Sequence, residues 1–530
     1  MDIKEIKKIC RSFKIEAIAL IFSILYSVLS ILIAVVTEKI VNSIDNIDYK
    51  YFFILIGLIV VSVLFVGIAH YYVNKCDTVA EKKLHLYLVN KLIDKQECFF
   101  AENQDGKLMN LLNNVTRRIS STLTVDRFIL IQASLTVIIS FAVLFYYSWI
   151  MALSTALLII IIMLLSQKLA GNIGELGADS DLKKGYVENG MLEIIHNISM
   201  IKSLNKQSFF KIKYYDNYEK NKIKPTLKYY FVETIYTCLA YILMYGLPLI
   251  AICVGIAFKN YKAITAGIIF AVYQIINGIQ EPVRNVMTTI GSLKRVKSTI
   301  PLLDPILTSN LNDNRKMVED IEFDNISFKS AGFKTAETNI ILKDVSFEIN
   351  KGDFVSIKGD SGSGKSTIFK FINGSLDDDN VDIKINELSP KEYNFYTMIK
   401  IVTQNNYILN DTVINNISLG DNFDNGYLDE IIKICQLEEF VKKYGYDKII
   451  DSTSSNISGG EKARINIARI LIRKPKVLLL DEICSSLDRK TSDEIAKNIY
   501  DFAKKNSITV ISISHKDEFE KYSNKIIELH

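Results

Sequence analysis

The stretch Gly359-Asp-Ser-Gly-Ser-Gly-Lys-Ser-Thr367 decides how the second half of this chain must fold. It matches the pattern GxxxxGK[ST], with the apolar run Phe354–Ile357 before it and a helical pattern, Thr367–Ile372, after it. Strand, glycine-rich turn and helix in that order gather backbone amides and a helix N-terminus around an anion. Lys365 brings an ammonium to the β- and γ-phosphates of a nucleotide, and the Ser366 hydroxyl can ligate Mg²⁺. Gly359, Asp360, Ser361, Gly362, Ser363, Gly364, Lys365, Ser366 and Thr367 are therefore the candidate phosphate-binding residues.

Downstream, the apolar run Val477–Leu480 ends in Asp481-Glu482. A buried strand that delivers two carboxylates to its C-terminal end puts them where an open α/β sheet binds ligand. Asp481 can hold Mg²⁺ through its water, and Glu482 can accept the proton of a water attacking the γ-phosphate. Ile508–Ile513 leads to Ser514-His515, and His515 is placed to contact that phosphate. Gln404, just after Ile399–Thr403, offers an amide oxygen to Mg²⁺ or to the water. Asn456-Ile-Ser-Gly-Gly-Glu461 forms a second anion cradle at a helix start, from Ser458, Gly459, Gly460 and Glu461. One phosphate chain needs one cradle. The economical arrangement pairs two copies head to tail, each ATP lying between one copy's Lys365 loop and the other's Ser458 loop.

The first half has a different character. Overall, 63 Lys and Arg against 59 Asp and Glu leave a net charge of +4, too small an excess for a nucleic-acid coat, so no nucleic-acid partner is expected. Charged and apolar residues are segregated along the 530-residue chain. Runs without Lys, Arg, Asp or Glu cover 17–36, 51–73, 128–147, 149–167, 234–258 (with Pro248 inside) and 263–280, the last span reaching about 281. Crossing about 30 Å of hydrocarbon takes roughly 20 helical residues, so these are six candidate membrane spans in a helical domain covering 1–305. The first 14 residues carry five Lys or Arg, 73–127 carry nine and 167–231 carry eleven, whereas 37–50 and 259–262 carry two each. The basic side faces the cytoplasm, which puts both termini there. Helical spacing of Leu84, Leu88 and Leu92 predicts that the spans continue into the cytoplasm as long legs, with tips near Phe99–Gly106 and Lys206–Lys213. A linker is expected at 306–317 and an α/β domain at 318–530. The seven cysteines lack metal-ligand spacing and read as free thiols.

Taken together, GDSGSGKST, Gln404, ISGGE, LLLDE, Ser485–Asp488 (SSLD) and His515 resemble the nucleotide-binding domain of ATP-binding cassette proteins. Six spans ahead of that domain resemble a fused exporter-type half-transporter, and Phe99–Val115 resembles its first coupling loop. The resemblance implies a membrane helical bundle followed by an α/β ATPase domain, with ATP and Mg²⁺ as cofactors and Asp488 in a loop between the paired domains. It implies a partner chain, identical or related, within the lipid bilayer of the cell membrane, and ATP-driven movement of a peptide, lipid or drug-like solute. An importer on the same architecture and an ATP-gated regulator are the alternatives. The family's adenine-stacking aromatic aligns with Ser330, and Phe333 is the candidate replacement. Gln132 and the residues Gln274, Asn277, Gln280, Glu281 and Arg284 are polar candidates for facing a cavity.

Overall fold

The structure is a computed structural model and describes the chain except residues 1–2, 44–48, 97–98, 101–102, 104, 148, 258–265, 309–314, 319–320, 331, 335–339, 343–344, 361, 452–456, 515–516 and 530. It divides into two compact units, Met1–Asn312 and Asp313–His530. Within the stretch 306–317, helix persists to Thr308, and Lys316–Met317 already pairs with Tyr393–Asn394 of the second unit.

The first unit is helical: α1 (Ile3–Cys10), α2 (Phe13–Asn42), α3 (Tyr49–Ile93), α4 (Asp105–Tyr147), α5 (Trp149–His196), α6 (Gln207–Tyr218), α7 (Lys224–Ala257) and α8 (Ala266–Thr299). Among the described residues, α2, α3 and α4 are long and apolar enough to cross a bilayer. α7 stays helical through Pro248.

Where α2 meets α4, burial is inverted relative to a water-soluble bundle. α2 turns Ala19, Ser23, Ser27 and Ala34 inward, and α4 buries Ala133, Thr136 and Ser140. Large apolar side chains such as Phe53, Val63, Leu64 and Leu157 point outward. In lipid there is no hydrophobic gain from helix association, so small side chains that permit close approach fill the interface. Thr136 donates to the Ser27 hydroxyl at 3.0 Å, joining α4 to α2.

α3 runs 45 residues, about 68 Å at 1.5 Å per residue, more than twice the hydrocarbon thickness. Its far part and the matching part of α4 bury Leu84, Leu88, Leu111, Val115 and Ile119 against Val296 and Leu303 from the end of α8 and beyond. Large aliphatic residues now point inward, which is the ordinary aqueous pattern. The same region holds a buried ionic cluster. Arg295 of α8 donates through Nη2 to both Asp181 carboxylate oxygens at 2.9 Å, and Arg118 and Lys184 approach the same carboxylate at 3.1 and 3.2 Å.

The second unit contains a five-stranded parallel sheet and a three-stranded antiparallel sheet. Its strands are β1 (Asn325–Ser330), β2 (Val345–Asn350), β3 (Phe354–Gly359), β4 (Val381–Ile385), β5 (Ile399–Val402), β6 (Val477–Asp481), β7 (Thr509–Ile513) and β8 (Lys525–Leu529). The parallel sheet has the order β8–β3–β7–β6–β5, and the antiparallel sheet β2–β1–β4. Every residue of β7, and Val477–Leu480 of β6, is buried. Such continuous runs mark strands covered on both faces. Because all five strands are parallel, the ends of β3, β5, β6 and β7 open on one edge.

Asp181 is 3% and Arg295 7% exposed, so removing one partner strands a buried charge. Asp181→Ala is expected to destabilise the first unit by roughly 3 kcal/mol, and Asp181→Ala with Arg295→Met to recover much of the loss. Thermal unfolding in detergent checks both.

Candidate nucleotide site

The phosphate-loop residues follow β3 without a break. Gly359 has φ 152°, and a Cβ there would lie 2.7 Å from the Leu529 carbonyl of neighbouring β8. Gly364 has φ 90° and caps α9 (Lys365–Ile372). A side chain at either position would be strained. Lys365 is buried at the first turn of α9 and donates to the Gly359 and Asp360 carbonyls, 2.8 Å each. Those bonds stretch the lysine back over its own loop. The Ser363 hydroxyl is buried there and has no hydrogen-bond partner among the described residues. Gly362 is exposed in left-handed geometry, and Thr367 lies on α9 half-buried. Ser361 lies outside the described residues.

Two hydrogen bonds knit the strand ends together. Ser366 of α9 donates to Asp481 Oδ1 at 3.3 Å, and the Gln404 amide donates to Glu482 Oε2 at 2.9 Å. Residues from α9, the end of β6 and the segment after β5 thus meet as the topology requires. Ser366 Oγ, the Asp481 carboxylate and the Gln404 amide are hard oxygen donors, the set that suits Mg²⁺. Burial pushes the Asp481 carboxyl above its usual range, and the Ser366 hydrogen bond opposes that only in part. Glu482 has φ 49° while its amide donates to the Ile513 carbonyl of β7 at 2.9 Å. Left-handed backbone at a non-glycine residue is strain of the kind that clusters at functional sites. His515 lies outside the described residues.

Ser458 and Glu461 belong to a different part of the surface. Ser458 caps α10 (Gly459–Leu471), its hydroxyl accepting from the Glu461 amide at 3.2 Å. The Glu461 carboxylate accepts from the Ser458 amide at 2.7 Å, which closes a reciprocal capping box. The Ser458 amide and hydroxyl both bond to Glu461, the Ser458 carbonyl accepts from the Lys462 amide at 3.1 Å, and Ser458 and Gly459 face solvent. Gly460 is half-buried beside Leu487. Asp488 caps α11 (Arg489–Lys505) by accepting from the Thr491 amide at 3.0 Å, and those bonds hold its carboxyl below the usual range.

Neither candidate for stacking on adenine offers a free ring. Ser330 is buried and accepts from the Gly332 amide. Phe333 is 5% exposed and packs edge-on to Phe371 at 5.2 Å, inside the core between the two sheets.

In the helical unit, Gln132, Gln274, Asn277 and Glu281 line one cavity of about 400 Å³ together with Ser30 and Thr136. Gln274 Oε1 is buried there without a partner among the described residues. Gln280 donates to Asn277 instead, and Arg284 stands 3.8 Å from Glu281.

Comparison with known proteins then decides the family. The profile described as ABC transporter transmembrane region matches residues 17–283, and that described as ABC transporter matches 342–485. The chain belongs to the ABC transporter family. An export ATP-binding/permease protein of Rickettsia conorii is 27% identical, across 97% of this chain and 92% of that protein. An ATP-dependent lipid A-core flippase of Photobacterium profundum is 22% identical, across 94% and 87%. The solved structure of a bacterial Atm1-family ABC exporter with ATP bound superposes with a TM-score of 0.85, at 19% identity, over 98% of this chain and 94% of its own. That likeness shows the fold. This ABC transporter is a multi-pass membrane protein whose second unit binds ATP and couples its hydrolysis to transport.

The raised Asp481 carboxyl carries a linkage consequence. A carboxyl whose folded value exceeds its unfolded one costs stability when ionised, and the cost disappears as pH falls below the unfolded value. Asp481→Asn is therefore expected to melt higher than the parent near pH 7.5 without nucleotide, with the gap closing as pH is lowered toward about 4. Melting curves across pH read this directly. A parent that melts higher at pH 7.5 contradicts it.

Proposed function

We propose that this ABC transporter exports an amphipathic solute (peptide, lipid or drug-like compound) by alternating access. It works as a dimer with a second half-transporter chain, identical or related. The observation that carries the reading is the pair of bonds Ser366–Asp481 and Gln404–Glu482, which holds the phosphate-loop helix and the acidic strand end in one group. In this reading, the loop amides and Lys365 bind the triphosphate. Glu482 takes the proton of the attacking water, Gln404 orients that water, and His515 contacts the γ-phosphate. Ser366, Gln404 and Asp481 would hold Mg²⁺, Asp481 through a water, and the ion supplies charge neutralisation at the phosphates.

The dimer reading is supported by the exposed start of α10. Ser458 and Gly459 are exposed at a helix N-terminus, and the Ser458 and Glu461 side chains bond to each other rather than to the phosphate loop. A second chain's triphosphate completes that cradle, with Asp488 at the seam. Export is supported by the names of the relatives. The basic bias of 1–14, 73–127 and 167–231 supports a cell-membrane protein with its N terminus and nucleotide unit in the cytoplasm. The polar cavity around Gln274 gives the solute a place at membrane depth.

The test is flux and turnover in proteoliposomes. Glu482→Gln is expected to bind ATP as the parent does while hydrolysis falls at least about a hundredfold, the scale of losing a general base. Lys365→Ala is expected to lose ATP binding. Parent-like hydrolysis by Glu482→Gln overturns the assignment of the base. ATP turnover without any flux across the solute panel favours the regulator.

A further inference from the structure

A cavity of about 620 Å³ opens between the legs, apart from both the nucleotide site and the membrane-depth cavity. Three features set it off. The first is backbone. The described residues contain three π-helical segments: Leu111–Val115, Thr122–Asp126 and Glu219–Ile223. Each sends a side chain to this one cavity: Asn114 from the first, Thr122 and Asp126 from the second, and Lys222 from the third. A π-turn inserts a residue into a helix at a cost in hydrogen-bond geometry, and such turns gather at functional sites. Three from two separate chain segments converging on one wall imply a shape the helices were bent to make.

The second feature is charge. Arg117, Arg118, Lys184 and Lys222 line the cavity against Asp126, Asp181 and Glu188. Asp181 is already shared among Arg295, Arg118 and Lys184. Glu188 accepts from Asn114 at 2.9 Å, and burial raises its carboxyl above the usual range. Arg117 and Lys222 form no ion pair among the described residues. Lys222 stacks on Tyr218 at 4.7 Å, and Arg117 is exposed.

The third feature is place. Arg117 lies eleven residues before the uncharged run that begins at Phe128, and Asp181 fourteen after the run that ends at Gln167. At 1.5 Å per residue both stand roughly 15–20 Å clear of those runs. The cavity is therefore watery, and an ionic ligand reaches it without crossing hydrocarbon.

We propose that this cavity binds an organic anion bearing two or more carboxylate or phosphate groups, with Arg117 and Lys222 as its charge contacts. Two cations on one wall, without ion-pair partners among the described residues, favour such a ligand over a cationic or neutral one. The proposal rests on the export reading only for the ligand's later fate; binding itself does not need it. The shared chemistry comes from two sources, a soluble anion or an anionic lipid headgroup.

The test is calorimetric titration of triglutamate into the full chain in phosphatidylcholine nanodiscs, with trilysine as the opposite-charge control. Triglutamate is expected to bind and trilysine not. Arg117→Gln with Lys222→Gln is expected to weaken binding about tenfold or more, as loss of two charge-assisted contacts should. Lys211→Gln with Lys220→Gln, on exposed positions outside the cavity, is expected to leave it unchanged. Replacing one-fifth of the lipid with phosphatidylglycerol separates the sources. Weaker triglutamate binding in the parent, with no such effect in the Arg117/Lys222 variant, assigns the site to headgroups; no change assigns it to soluble anions. Absence of binding, equal binding of trilysine, or unchanged binding in the variant overturns the proposal. Solute flux in proteoliposomes, measured alongside, shows whether the export reading stands independently.

Discussion

Glu482 sits in left-handed backbone geometry, φ 49°, directly after a strand locked on both sides. β6 pairs with β7 from Val477 to Asp481 and with β5 from Val477 to Leu480, so its end cannot slip. A one-residue slip would turn Asp481 and Glu482 to opposite faces and break both bonds that join them to Ser366 and Gln404. The Ile513 carbonyl pins the strained residue by accepting its amide hydrogen. Register, strain and hydrogen bonding together place two neighbouring carboxylates on different partners, one on the phosphate-loop helix and one on the Gln404 segment. Two acids adjacent in sequence thus come to occupy distinct environments.

The helical unit obeys two solvents along single helices. α3 buries Ser62 and Ala69 near one end and Leu84 and Leu88 near the other. The exchange of small polar for large aliphatic interior residues marks where lipid gives way to water. A leg packed by aliphatic contacts and by the Asp181–Arg295 cluster is stiff, and a stiff leg can transmit displacement over tens of ångströms as a rigid lever.

Much of this was legible beforehand because the relevant signals are local. Glycine spacing in 359–367 encodes a tight turn, and long uncharged runs encode long apolar helices such as α2 and α3. The Ser458–Glu461 capping box was equally present as S-x-x-E at the start of a helical pattern. Other features depend on packing between distant segments. Phe333 reads as a free aromatic, but its ring is spent on Phe371, 38 positions away. Asp181 and Arg295 are 114 residues apart, and nothing in either neighbourhood announces the other. The strain at Glu482 follows from sheet register, which residue type does not reveal. Pro248 falls inside the run 234–258, and α7 stays helical through it.

The central claim is that each reaction chamber is shared between two chains. Nanodiscs loaded with a single copy, compared with discs holding two, measure this most directly through ATP turnover per chain. Near-zero turnover in single-copy discs and full turnover in double-copy discs is the predicted result. Equal turnover per chain in both would contradict it.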